Sequence, residues 1–140
     1  MIQIYTTPSC ASCRKAKKWF DQYNIPYSEK NIFSIKLSRE DIYKMLANSE
    51  NGFDDIISTR SKVFKEKKLN PDAMTSQELI DFIIENPSVL KRPIIINENE
   101  LQVGYNNEDI TIFLPKELRY RESFISFDTD NNTKKKKDEN

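Results

Sequence analysis

The sequence predicts a mixed α/β fold with the order β-α-β, a helical insert, and β-β-α. Short isoleucine-rich stretches near the start and in the last third of the chain have the pattern of strands. The stretch between them shows the helical repeat of apolar side chains, and two cysteines lie where the first strand passes into the first helix. A chain of 140 residues suits one domain with a small insertion.

The β-α-β unit comes first. Ile2 and Ile4 alternate with polar neighbours, which predicts a short strand. From about residue 11 apolar side chains recur at helical spacing, and basic side chains occupy the other face. Asn24 and Pro26 should end this helix, and residues 27–33 should form the second strand. Because a helix connects the two strands, we expect them to be parallel.

Helices should fill the middle of the chain. Ser38 followed by Asp41 has the form of a capped helix start, and Gly52 predicts the end of that helix. Residues 55–68 suggest one or two short helices. Thr75, with a glutamate three residues later, predicts the start of another amphipathic helix.

The last elements are a hairpin and a helix. Ile94–Ile96 is a continuous apolar strand, and Leu101–Val103 is its predicted partner across a turn. Residues 106–114 have the pattern of an amphipathic helix. This order, with a C-x-x-C pair at the first strand-to-helix turn, predicts a thioredoxin-like βαβ…ββα core with an inserted helical subdomain.

The predicted organisation has three parts. Residues 1–36 and 88–120 should form the thioredoxin-like core, and residues 37–87 the helical insert. Residues 121–140 end in a stretch without apolar side chains, which predicts a flexible or disordered tail.

Composition excludes several classes of function. The 22 basic and 22 acidic residues balance, so the whole chain does not attract nucleic acid electrostatically. Two glycines are too few for a phosphate-binding glycine loop, and histidine is absent. No apolar run is long enough to span a membrane, and the first residues do not resemble a signal peptide. We therefore expect a cytoplasmic protein, in which a disulfide is usually transient and functional.

Cys10 and Cys13 are the only cysteines. The free N–H groups and dipole of a helix N-terminus favour a thiolate, and so do Arg14 and Lys15. Cys10 should be the exposed nucleophile and Cys13 the resolving thiol. Two inert buried cysteines, or a metal shared between two chains, are the alternatives. A structural zinc site usually needs four ligands, and one chain supplies two cysteines and no histidine, so we expect no metal in a single chain. We also expect no cofactor.

Arg92 and Pro93 form the second candidate feature. A proline at the start of an apolar strand cannot donate a hydrogen bond to the sheet. In thioredoxin-like folds a cis-proline at this place lies against the first cysteine. If Pro93 is that residue, Arg92 lies near Cys10, where its guanidinium would stabilise a thiolate or a bound oxyanion. A surface arginine in a loop is the alternative.

Several stretches resemble the ArsC/Spx family, which includes redox-responsive transcriptional regulators of Gram-positive Firmicutes and arsenate reductases. The resemblance covers about residues 1 to 120. Its motifs are TTPSCASCRKAKKWF at 6–20, EKNIFS at 29–34, NGFDDIISTRSKVF at 51–64, KRPIII at 91–96, LQVGYNNEDI at 101–110 and FLPKELR at 113–119.

The resemblance implies a regulator of the disulfide stress response that binds the C-terminal domain of the RNA polymerase α subunit. Such a protein would contact promoter DNA only within the polymerase complex. The Cys10–Cys13 pair would be the redox switch, and Arg92 would stabilise the switched state. We expect a monomer without membrane association.

The insert carries further implied contacts. Gly52 matches the family glycine that contacts the polymerase α subunit, although a helix end is its simpler interpretation. Arg60 and Lys62 match a basic stretch of the family; a solvated basic surface is the alternative. Ala47 stands where family members often carry a basic residue.

Two other implications concern turnover and catalysis. Family members are degraded by the Clp protease system through the C-terminus, but this tail ends KKKKDEN instead of in apolar residues.

An arsenate reductase-like thiol oxidoreductase with Cys10 as nucleophile is the alternative function. ArsC enzymes use three arginines; Arg60 and Arg92 match two, and VGYNNED at 103–109 lacks the third. We therefore expect a protein that is not an enzyme.

Overall fold

The computed structural model describes residues 1–58 and 61–118, and the predicted tail at 121–140 lies outside them. The chain forms two compact units, which divide between Tyr105 and Asn106. Mixed α/β architecture is confirmed, and the predicted division into core and insert stays a prediction. The described elements are strands β1 Ile2–Thr6, β2 Tyr27–Asn31, β3 Ile94–Ile96 and β4 Leu101–Val103, and helices α1 Ala11–Gln22, α2 Arg39–Ala47, α3 Phe53–Ile56, α4 Lys62–Glu66 and α5 Ser76–Glu85.

The described strands form one mixed sheet in the order β2-β1-β3-β4. β1 is parallel to β2, with Ile4 opposite Glu29, as the β-α-β pattern predicts. β3 is antiparallel to β1, with Ile4 also opposite Ile95, and β4 completes the predicted hairpin. β1 is thus flanked on both sides, by the parallel strand β2 and the antiparallel strand β3.

Helix α1 attaches to the sheet through β2. Its buried face carries Cys13, Ala16, Trp19 and Phe20. The Phe20 ring lies 5.7 Å from that of Tyr27, and Lys17 Nζ lies 3.0 Å from Glu29 Oε2 on the same strand. Trp19 packs its ring against Phe20 at 5.0 Å and Tyr23 at 4.9 Å.

Two predicted capping boxes are present in the helical segment. Ser38 caps α2 together with Asp41, and Thr75 caps α5 together with Glu78. In each pair, the hydroxyl of the first residue accepts from the backbone N–H of the second, whose carboxylate accepts from the backbone N–H of the first. These reciprocal bonds satisfy backbone donors that have no partner within the helix.

The prediction that Gly52 ends α2 is wrong. The helix ends at Ala47 with Asn48 as its C-cap, and Gly52 is the N-cap of α3. A turn of residues 48–51 separates the two helices, because the side chains of Asn48 and Ser49 bond back to the last carbonyls of α2 and stop it early.

A hydrophobic core joins the helices α2, α3, α4 and α5 to one face of the sheet. Fully buried members include Ile42 and Met45 from α2, Ile83 from α5 and Ile94 from β3. Burying an apolar side chain of this size contributes about 1.5–3 kcal/mol. The helical segment is therefore fixed to the sheet by apolar contact and cannot be removed without exposing the core.

The second unit contains a 3-10 helix over Asp109–Phe113, not the predicted amphipathic α-helix over residues 106–114. Asn106 Oδ1 accepts from the N–H groups of Glu108 and Asp109, which holds the first residues in a turn. Pro115 follows the C-cap residue Leu114 and disfavours the α conformation of Leu114. These local effects shorten the element.

A polar network connects β1 to α2. The hydroxyl of Tyr5, which is 1% exposed, donates to Asp41 Oδ1 at 2.8 Å. Lys30 Nζ lies 3.4 Å from the same oxygen. Burial raises the pKa of Tyr5, and the adjacent Asp41 raises it further. For Asp41, burial acts to raise the pKa, but hydrogen bonds from Ser38 and Tyr5 outweigh it, so its pKa lies below the ordinary value.

We expect Tyr5→Phe to lower the free energy of unfolding at pH 7 by about 1–2 kcal/mol, because a largely buried carboxylate loses a hydrogen bond. Asp41 has a lowered folded pKa, so its contribution is present above the unfolded value near 3.9 and is lost as pH falls through the folded pKa. The difference between wild type and variant should therefore shrink in acid. Urea unfolding at several pH values measures it.

Tyr43→Phe is the matched control, since Tyr43 lies on α2 and is 38% exposed. It should leave stability and its pH dependence unchanged. Equal losses in the two variants would contradict the role given to the Tyr5 hydroxyl.

Candidate redox and binding site

The structure contains a disulfide between Cys10 and Cys13, whose Cα atoms are 5.1 Å apart. Cys10 is the N-cap of α1, and its Sγ accepts from the N–H of Cys13 at 3.0 Å. Its carbonyl accepts from the N–H of Arg14 at 3.2 Å. The first turn of α1 therefore fixes both sulfur positions, and the alternative of two separate, inert thiols does not fit this geometry.

The two cysteines differ in exposure. Cys13 is 1% exposed, whereas Cys10 is half-buried and borders open space. When the pair is reduced, the Cys13 N–H and the positive end of the 12-residue helix favour negative charge on Cys10. This difference agrees with the predicted roles, in which Cys10 attacks and Cys13 resolves, and those roles stay a prediction.

A cleft of about 810 Å³ opens beside the disulfide. It brings together Cys10, Lys62 and Arg92, which are far apart in the sequence. Lys91 and exposed Phe33 also border it, so its wall combines positive charge with an apolar patch. The sequence pattern did not distinguish Phe33, although it lies in the EKNIFS motif.

Arg92 is held at the rim of this cleft. Its Nη1 donates to the carbonyls of Ser88 at 3.1 Å and Leu90 at 3.3 Å. In the described part of the chain no carboxylate pairs with it. The Arg92–Pro93 peptide bond is cis, and Pro93 is buried, with its carbonyl accepting from Gly104. The guanidinium thus keeps donors for an anion in the cleft.

The predicted basic stretch is partly described. Lys62 is the first residue of α4, its side chain is 87% exposed, and its Nζ lies 3.8 Å from Glu66 Oε1. Arg60 lies outside the described residues. Ser61, between them, has a buried Oγ without a described hydrogen-bond partner, and it too borders the cleft. No sequence pattern distinguished that hydroxyl.

Gly52 lies in a different place. Its backbone has φ 63° and ψ −131°, a conformation that residues other than glycine rarely adopt. A Cβ built there would meet no atom of the described residues within 4 Å. Gly52 borders a second cleft of about 300 Å³ with Phe53, Met74 and Leu79. The structure therefore does not bring Gly52 into the Cys10 cleft, and the surface around it is open.

The described residues contain no group of three or more possible metal ligands. Nor does any described helix have the length and hydrophobicity of a transmembrane segment.

The family model and the most similar named proteins point to the same family. The model of the ArsC family matches residues 5–113. The chain is 50% identical over 119 residues to proteins named global transcriptional regulator Spx from Listeria innocua and Bacillus subtilis, covering 85% of this chain and 91% of each relative. It is 48% identical over the same length to the protein of that name from Staphylococcus saprophyticus.

Solved structures show the same fold. An ArsC family related protein from Bacteroides fragilis has a TM-score of 0.67 and 29% identity, covering 77% of this chain and 92% of the other. Arsenate reductase from Vibrio cholerae has a TM-score of 0.69 at 20% identity, covering 81% and 97%. At that identity the likeness extends to the fold alone.

In the reduced protein we expect iodoacetamide to label Cys10 at least about ten times faster than Cys13, because Cys13 is buried and Cys10 receives an N–H. Timed alkylation followed by peptide mapping measures both rates. In Cys10→Ser, labelling of Cys13 should stay slow. Similar rates for the two thiols would contradict the assigned roles.

Proposed function

The chain belongs to the ArsC family, and we propose that it is a global transcriptional regulator of the disulfide stress response in the manner of its Spx relatives. The observation that carries the proposal is 50% identity over 119 residues to proteins of that name. The proposed partner is the C-terminal domain of the RNA polymerase α subunit. The Cys10–Cys13 disulfide, formed in the structure, is the proposed switch.

The switch requires a balanced oxidation. A hydroperoxide oxidises the Cys10 thiolate to a sulfenic acid and leaves as alcohol or water. Cys13 then attacks the Cys10 sulfur, the S–S bond forms, and water leaves. A dithiol reductant reverses the process by thiol–disulfide exchange. The greater exposure of Cys10 and the burial of Cys13 support this order of events.

Arg92 is proposed to stabilise the switched state from the rim of the cleft. Its attachment to two backbone carbonyls fixes the guanidinium without neutralising its charge. Residues next to Cys10 and residues of α4 line the same cleft. A rearrangement at the sulfur atoms is therefore proposed to alter the contacts of α4 with this cleft.

The polymerase contact is proposed at Gly52. Its positive φ and open surroundings support close approach of a partner backbone. Arg60 and Lys62 are proposed to contact promoter phosphates only within the polymerase complex, since the zero net charge gives the isolated chain little attraction for DNA. A cytoplasmic monomer completes the proposal, which does not include turnover by the Clp system, because the tail ends KKKKDEN instead of in apolar residues.

An arsenate reductase-like activity is the second candidate, favoured by one observation. The cleft places Cys10 with Lys62 and Arg92, an arrangement suited to a tetrahedral oxyanion. Against it, VGYNNED at 103–109 supplies no third arginine, and one lost charge-assisted hydrogen bond weakens anion binding by about 1.5–3 kcal/mol.

We expect the oxidised protein to bind the isolated C-terminal domain of the polymerase α subunit with micromolar or tighter Kd. Gly52→Arg should weaken this binding at least about tenfold, or 1.4 kcal/mol, because its side chain occupies the space for the partner. Isothermal titration calorimetry measures both. Gly104→Arg is the matched control, since Gly104 also has a positive φ and an added Cβ there would meet no atom within 4 Å in the part of the chain that the structure describes.

Absence of wild-type binding in both redox states would refute the polymerase proposal. Equal weakening by the two arginine variants would show that backbone strain or charge, not the Gly52 surface, is responsible.

The second candidate makes its own prediction. With arsenate and an excess of thiol reductant, we expect the wild type to form no more arsenite than Cys10→Ser, since the third cation is missing from the 103–109 segment. Catalytic turnover above that variant would instead support the oxidoreductase.

A further inference from the structure

The turn that carries Gly52 is held by one carboxylate. Asp55 Oδ2 accepts from the backbone N–H groups of Glu50 and Asn51, each at 2.8 Å. Asp55 Oδ1 accepts from Asn51 Nδ2 at 3.2 Å. The N–H of Asp55 in turn donates to the carbonyl of Gly52 at 3.1 Å. Residues 50 to 55 thus form a closed loop around Gly52, which we call the Asp55 latch.

Among the described residues, Asp55 supplies the only side-chain acceptor for the backbone N–H groups of Glu50 and Asn51. Glu50 and Asn51 are exposed, so their side chains add no buried packing. α2 has already ended at Ala47, and the two N–H groups that bond to Asp55 have no helical carbonyl as acceptor. The Asn51 N–H and the other donors hold the pKa of Asp55 below its ordinary value, so the carboxylate is ionised at neutral pH.

Asp54 has the same chemistry without the same bonds. It precedes Asp55 on α3 and is exposed, and among residues 1–58 and 61–118 its carboxylate makes no hydrogen bond or ion pair. Its backbone carbonyl alone accepts, from Lys91 Nζ. Asp54 and Asp55 thus carry the same charge on this surface, but only Asp55 restrains the turn, so variants of the two residues distinguish charge from restraint.

We propose that Asp55 is a positioning residue, which holds the Gly52 turn in the conformation that the polymerase α subunit recognises. This inference rests on the proposed function, because it assumes that Gly52 is the point of contact. Without the latch the turn populates other conformations, and the partner must select the competent one. If one tenth of the molecules keep the competent turn, apparent affinity falls about tenfold.

The position of the carboxylate distinguishes Asp55 from Asp54. Asp55 need not touch the α subunit, since its oxygens are occupied by backbone and side-chain donors of its own turn. Its loss should therefore act through the mobility of residues 50–52, whereas loss of Asp54 removes an equal charge and leaves the turn intact.

The test compares Asp55→Asn with Asp54→Asn in the oxidised full chain. Amide hydrogen exchange at Glu50 and Asn51 is measured by NMR, and binding to the C-terminal domain of the polymerase α subunit is measured by calorimetry. In Asp55→Asn we expect exchange at both amides to be at least about tenfold faster and Kd to rise at least about fivefold. In Asp54→Asn both should stay within about twofold of the wild type.

Urea unfolding separates this local effect from a general loss of stability. In Asp55→Asn the free energy of unfolding should fall by no more than about 1.4 kcal/mol, which corresponds to the tenfold local effect. A larger fall would show a general loss of stability and would contradict a role confined to the turn. Asn51→Ala, which removes the side-chain bond alone, provides a milder variant if Asp55→Asn does not fold; it should change exchange and Kd in the same direction by a smaller factor.

Three further results would overturn the inference: unchanged amide exchange in Asp55→Asn, faster exchange with unchanged Kd, or equal weakening by the two aspartate variants. If the wild type does not bind the α subunit, the proposed function fails and the positioning role fails with it. The exchange data then still report whether Asp55 holds the turn, so the two failures are distinguished.

Discussion

Backbone pairing of β1 with two neighbours is the constraint on which the rest of this structure depends. The parallel pairing with β2 fixes where α1 begins, and the antiparallel pairing with β3 fixes where Arg92 and Pro93 lie. A shift of either register by one residue would turn buried side chains of β1 to the opposite face. Ile4 is fully buried and opposes Glu29 on one side and Ile95 on the other, so such a shift would expose core surface.

Chemistry is arranged around this sheet in two separate places. The disulfide cleft is lined by Cys10, which is the N-cap of α1, and by the basic residues Lys62, Lys91 and Arg92. The Gly52 turn is followed by Asp54 and Asp55, and Lys91, which borders the disulfide cleft, donates from its Nζ to the Asp54 carbonyl. The disulfide cleft and the Gly52 turn are therefore different surfaces, and α4 borders the first of them.

The fold was largely predictable from sequence because its signals are local. Ser38 and Thr75 form capping boxes with residues three positions later, and the isoleucine run of β3 leaves few alternatives to a buried strand. The role of Gly52 was not predictable, since a glycine with a positive φ serves equally at a helix end and before a helix start. The C-x-x-C pattern indicated the disulfide, whereas the bonds of Asp55 and the attachment of Arg92 to two carbonyls depend on tertiary geometry. A pattern of apolar side chains also cannot distinguish an α-helix from the 3-10 helix that Asn106 and Pro115 impose.

The aromatic packing on α1 has a practical consequence. Trp19 is the only tryptophan of the chain, it is 7% exposed, and it lies on α1, whose N-cap is Cys10. Intrinsic tryptophan fluorescence of this protein therefore comes from one indole in one environment, next to Phe20 and Tyr23. Because Trp19 and the cysteine pair share α1, its fluorescence reports any change of this helix when the disulfide is reduced or formed. Such changes can be followed in real time without an attached dye.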